Sequence, residues 1–238
     1  MDAGITAILS LGFVFGLRHA LDPDHLVAVS SIVSEHKSIR RSSLIGSFWG
    51  LGHTVSLLGI GLLILAMRLS IPTGLLPVLE LPVAVMLVAL GCMAIRRLMR
   101  DRGIRIHTHT HSHGDEPPHA HVHLHARTRH DHRHHLIKLG RRPFIVGMVH
   151  GVAGSAAVTL GVLATIPSLA AGVAYIAVFG IGSIGGMVLM STLISLPFAL
   201  TARLTVLNNG IRLVAGLFSM AFGLMLALRV TTELLGRG

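Results

Sequence analysis

The sequence predicts an all-α integral membrane protein, about six transmembrane helices set as two inverted three-helix repeats with a cytoplasmic histidine-rich loop between them. Three observations lead there. Of 238 residues, 52% are hydrophobic and only 13% charged, and the mean hydropathy is +0.72, far from the balance of soluble domains. Six apolar stretches each reach the ~20 residues that a helix needs to cross a bilayer. A polar insert separates the third from the fourth, which divides the chain into a first repeat (1–100), the insert (101–142) and a second repeat (143–238).

The first stretch, 4–33, carries "RHALDPDHL" (18–26) in an otherwise apolar run. No small-residue cleavage site follows it, so it reads as a retained span and not as a signal peptide. A charged side chain at mid-membrane costs about 2.5–3.5 kcal/mol on insertion scales, so the polar group here needs partners or a hydrated cavity. On an unbroken helix, His19, Asp24 and His25 point in different directions. Pro23 disfavours helical geometry at Asp22, and Asp-Pro reads as an N-cap followed by proline at the first helical position. A break there lets His19 converge with Asp24 and His25. Two imidazoles and a carboxylate form a nitrogen/oxygen set suited to nickel, cobalt or zinc rather than to calcium or cuprous copper.

The second stretch, 43–67, brings His53 in "SFWGLGHTVSLL", after Gly46 and Gly50 at the small-xxx-small spacing of close helix approach. The third spans 75–95. The fourth, 143–166, contains His150 in "GMVHGVAGSAAV". Taken singly, His53 or His150 also fits a hydrogen-bonded core histidine. The fifth, 170–200, is longer than one crossing requires, and Pro197 suggests a bend or break. The sixth spans 209–228. Cys92 is the only cysteine, so no intrachain disulfide supports the fold.

Segments of the two halves match: "FVFGLRHA" (13–20) with "FIVGMVHG" (144–151), "IGSFWG" (45–50) with "IGSIGG" (181–186), and "ALGCMAIRR" (89–97) with "AFGLMLALR" (221–229). Three spans per half means that the second half enters inverted, an architecture recurrent in transporters. The shared Gly-x-x-His places His150 at the position of His19.

Basic residues follow the odd-numbered spans: Lys37, Arg40 and Arg41, then eleven between Arg96 and Arg142, then Arg203 and Arg212. Only Arg68, Arg229 and Arg237 stand on the other side. The positive-inside bias therefore puts the insert in the cytoplasm and both termini outside. The net charge of +10 sets orientation and implies no nucleic-acid partner. The insert's composition cannot bury a core, which predicts a mobile loop. In "HTHTHSH" and "HAHVHLH" histidine recurs at every second residue, so His107, His109, His111, His113, His119, His121, His123 and His125 are candidates for capturing metal.

"HALDPDH" matches the H-x4-D-H signature of the nickel/cobalt transporter family, and "FWGLGHTVSLL" (48–58) resembles that family's second motif. The resemblance implies a polytopic permease of the cell membrane, with His19, Asp24 and His25 indispensable, His53 close to the site and Asp22 within the motif. This chain starts at what would be the family's second span, and its fourth and fifth spans hold no acidic residue. In both respects it resembles the shorter urease-accessory-type nickel permeases and the nickel/cobalt exporters.

The expected function is secondary transport of Ni2+, or of Co2+, with uptake favoured over efflux and over a membrane-bound metal buffer or sensor. The ion is substrate, and no tightly bound cofactor is expected. Partners would be the metal ion, the lipid bilayer and cytoplasmic metallochaperones or urease-type maturation proteins. No H-E-x-x-H, G-x-S-x-G or P-loop pattern is present, so hydrolytic chemistry is not expected.

Overall fold

A computed structural model describes residues 3–36, 38–67, 75–101, 106–111, 119–124, 135–153 and 168–236. The helices are α1 (Ala3–His19), α2 (Pro23–Val33), α3 (Ile39–Met67), α4 (Leu75–Asp101), α5 (His135–Ala153), α6 (Leu169–Leu200) and α7 (Thr205–Leu235), with strands β1 (Ile106–His111) and β2 (His119–Leu124) between α4 and α5. Among the described residues, four helical segments are long and apolar enough to cross a membrane: Ile39–Ile64, Pro77–Arg100, Leu169–Leu200 and Thr205–Leu235. Leu217, Phe218, Met225 and Leu228 of α7 are exposed, an arrangement that suits lipid tails rather than water.

The first apolar stretch is two helices. α1 stops at His19, and a short turn closed by Leu21 N–H donating to the Arg18 carbonyl (2.9 Å) and Asp22 N–H to that of His19 (3.1 Å) leads into α2. Pro23 stands at the N-terminus of α2 after Asp22, where its missing N–H costs no helical hydrogen bond. At the other end of α2, Glu35 pairs with Arg97 of α4. Pro197 acts otherwise: α6 continues through it and ends three residues later at Leu200. In the fourth stretch α5 begins at His135, ahead of Pro143, and residues 154–167 lie outside the described residues.

The insert also departs from expectation. Instead of a structureless loop, it contains an antiparallel hairpin whose register sets His107 opposite His123, His109 opposite His121 and His111 opposite His119. The alternation of histidine with threonine, valine and leucine has the two-residue period of a strand, and its β-branched members favour extended backbone. His113 and His125 lie outside the described residues.

Close helix packing follows a reciprocal pattern. α3 packs along α6, α4 along α7, α1 along α6 and α5 along α3. A side chain on Gly16 would strike the backbone carbonyl of Phe179, and one on Gly147 that of Trp49. Gly182 abuts Phe13 and Leu17 just as Gly52 abuts Phe144 and Met148; Gly50 meets Ile184 and Gly180 meets Thr54. Gly91 meets Gly216 and Met220, while Gly223 meets Ala84 and Val88. Exchanging α1, α3 and α4 for α5, α6 and α7 therefore carries each of these contacts onto another. The exchange pairs residues 13–20 with 144–151 and 89–97 with 221–229, as sequence matching does. In the middle helices it pairs Trp49 with Phe179 and Gly50 with Gly180, six residues away from the match of 45–50 to 181–186. Glycine-rich segments agree in several registers, and sequence alone cannot choose between them.

Candidate metal site

The turn after α1 sets the site. It ends α1 at His19 and starts α2 so that Asp24 and His25 occupy its first turn, while α3 brings His53 and α5 brings His150. All four histidines are buried; His53 and His150 have no exposed surface, and His25 is 1% exposed. The ring of His19 lies 4.4 Å from His25 and 4.9 Å from His53, and His25 lies 5.4 Å from His53 and 3.9 Å from His150, centroid to centroid. Two groups result, His19/His25/His53 and Asp24/His25/His150, each with ligand-capable atoms within 4.8 Å of one another. They share His25.

The polar atoms are closely matched. His19 Nε2 and His53 Nε2 are 3.1 Å apart. His19 Nδ1–H donates to Asp22 Oδ2 at 2.7 Å. Asp24 Oδ1 accepts from the His25 backbone N–H (3.0 Å) and stands 3.2 Å from His25 Nδ1, while Asp24 Oδ2 lies 2.9 Å from His150 Nε2. Asp24 thus ties α2, in the first half, to α5, in the second. The imidazole nitrogens His25 Nε2 and His150 Nδ1 are buried and have no hydrogen-bond partner among the described residues. Unpaired polar atoms are rare in protein interiors because each forfeits its hydration. Lone pairs held in this way suit a cation that accepts nitrogen ligands.

The structure brings together all six histidine and aspartate residues picked out in the spans, His19, Asp22, Asp24, His25, His53 and His150. The hairpin histidines belong to a separate element. Two aromatic residues that sequence reasoning did not single out border the cluster. Trp49, with no exposed surface, stacks on His25 at 5.5 Å and meets His150 edge-on at 5.8 Å; Phe179 lies 5.7 Å from His19. The signal for Trp49 was its place four residues before His53, on the same face of α3.

Comparison with known proteins bears on this site. Residues 5–235 match the family described as high-affinity nickel-transport protein. The chain is 39% identical over 229 residues to the urease accessory protein UreH of Bacillus sp. (strain TB-90), covering 92% of this chain and 90% of that one. No solved structure matches it.

Proposed function

The chain belongs to the high-affinity nickel-transport protein family, and from that premise we propose that this multi-pass membrane protein is a secondary transporter which imports Ni2+, and with it Co2+, through the cluster of His19, Asp24, His25, His53 and His150. The observation that carries this reading is the buried His25 Nε2, without a hydrogen-bond partner among the described residues and set among three other imidazoles at the break between α1 and α2. Such a group is costly within an apolar span unless it is hydrated, paired or bound to an ion, and with three further imidazoles and a carboxylate around it the ion is the occupant that uses them all.

The reciprocal close contacts of the two halves support an inverted repeat of three spans each. Transport then consists of one half rocking against the other around a fixed site. Asp24, bonded to His25 on one side and to His150 on the other, sits where such motion would be felt. The positive-inside distribution supports a cytoplasmic insert and outer termini. The insert's histidines would collect arriving ions, and the relative named as a urease accessory protein supports delivery to maturation proteins of a nickel enzyme. None of this calls for chemistry on a bound substrate, so the protein is no enzyme.

The test is radiometal flux into vesicles of known orientation. Saturable Ni2+ flux is expected for the wild type, and its loss in inserted His19→Ala and His25→Ala variants. In cells lacking their own nickel uptake, expression should raise cell nickel and restore urease at trace metal. Protection against excess nickel that is lost with His19→Ala would reverse the direction and leave the site in place. Saturable flux surviving both histidine variants would reject the site.

A further inference from the structure

We propose that Asp22 and Asp24 are positioning residues: they hold protons on the Nδ1 atoms of His19 and His25, so that the ion is taken by an all-imidazole face made of His19 Nε2, His25 Nε2 and His53 Nε2. The inference rests on reading the cluster as the ion's site. It moves Asp24 out of the ligand set that its spacing suggests and gives Asp22 a defined role.

The carboxylates are already engaged. Asp22 stands at the N-cap of α2, where an aspartate normally accepts from the helix's own first N–H groups, yet its side chain makes no capping bond. It bonds His19 Nδ1 at 2.7 Å instead. Asp24 has both oxygens in use, Oδ1 on the backbone and ring of His25 and Oδ2 on the ring of His150. An imidazole that donates through Nδ1 presents its lone pair at Nε2, and a carboxylate behind a metal-binding histidine is the common means of fixing that tautomer.

His53 stands beside both: its ring lies 5.4 Å from that of His25, one ligand-capable atom of each of the three histidines lies within 4.8 Å of the others, and the proton that His53 Nε2 lends to His19 Nε2 leaves as the ion enters. His19 Nε2 is 3.1 Å from His53 Nε2, and His25 Nε2 is buried with no hydrogen-bond partner among the described residues. The two aspartates thus do the same work on two consecutive helices, one through an i,i+3 contact across the turn and one through its immediate neighbour.

The arrangement also has a selective value. A carboxylate in direct contact would welcome magnesium and calcium, which take oxygen ligands. Three neutral nitrogens favour nickel and cobalt. The negative charge of the carboxylates still offsets the dication, one hydrogen bond further out.

The experiment uses the purified full-length protein with the insert's histidines between residues 107 and 135 replaced by serine in every sample compared, so that only the buried cluster is read, with Ni2+ binding measured by calorimetry and Cu2+ as a spin probe for pulsed EPR. An asparagine still offers a carbonyl oxygen to Nδ1–H, whereas alanine offers none. Asp24→Asn and Asp22→Asn should keep Ni2+ affinity within about tenfold of wild type, while Asp24→Ala and Asp22→Ala lose about 10–100-fold. On Cu2+, the EPR signal should report three imidazoles in wild type and both asparagine variants, with the coupling of the remote nitrogen shifted in each variant as its acceptor changes. If an alanine variant does not fold, the asparagine pair decides. A folded Asp24→Asn protein with metal affinity as low as expected for removal of a ligand, or an unshifted remote-nitrogen signal, would overturn the proposal. Absent Ni2+ flux by a wild-type protein that gives the expected binding results would reject transport and leave this assignment standing.

Discussion

Gly16 and Gly147 each stand three residues before a histidine of the cluster, and each lies directly against the backbone of a neighbouring helix. A methyl group at Gly147 would meet the Trp49 carbonyl and ring edge first, and as backbone cannot give way cheaply α5 would have to move outward and take His150 with it. Gly147→Ala should lower stability by about 1–3 kcal/mol, the usual cost of overpacking, and weaken Ni2+ binding; Gly59→Ala, with open space around it, should do neither. Thermal melting in detergent with parallel metal titration checks this, and unchanged binding by Gly147→Ala would show that the close approach does not place His150. His19, Asp24 and His25 stood out in the sequence because several polar groups in one apolar run concentrate an insertion cost that packing cannot explain, whereas His53 and His150, each alone in its span, fitted a core histidine equally well. The task of Asp22 was not. An aspartate before proline announces a cap, and only the position of its side chain shows that it serves His19.

Helices and their limits were legible to different degrees. The break between α1 and α2 followed from Asp22-Pro23, because proline excludes helical geometry from the residue before it. Pro197 carries the same signal and leaves α6 unbroken until Leu200, where the helix is already at its end. The hairpin of β1 and β2 was obscured by composition: histidine-rich polarity suggested disorder, while the period-two alternation that the strands use lay in the same residues. As the hairpin is an element apart from the buried cluster, its removal should act on capture rather than passage. Deleting residues 106–124 is expected to raise the KM for Ni2+ flux with little change in maximal rate, the pattern of a lost binding contribution. A collapse of maximal flux in a normally inserted deletion protein would put the hairpin on the ion's path.

Over the whole molecule, the pairing of segments by their reciprocal contacts agrees with sequence matching at 13–20 with 144–151 and at 89–97 with 221–229, and not in the middle helices. The first and last matched segments carry Phe, His and Arg landmarks, whereas α3 and α6 offer mostly glycine and aliphatic residues. The two halves are also chemically unequal. The exchange that pairs His19 with His150 and Trp49 with Phe179 sets His53 opposite Ser183, a buried serine whose hydroxyl has no hydrogen-bond partner among the described residues. The imidazoles of the cluster are thus concentrated in the first half of the chain, with His150 alone in the second. Topology is tested with Cys92 replaced and single cysteines introduced: residues 107–135 and 34–42 should react with an impermeant reagent from the cytoplasmic side and residues 68–74 from outside. The opposite labelling would invert the orientation read from the basic residues.

The chain holds one tryptophan, and it is Trp49, stacked on His25. All the indole emission of the protein therefore originates beside the cluster. Open-shell Ni2+ and Co2+ quench a neighbouring excited indole, whereas closed-shell Zn2+ does not, so the proposed site comes with its own optical test of occupancy. Arrival and departure of the ion can be timed in stopped flow without a dye, a label or a substitution.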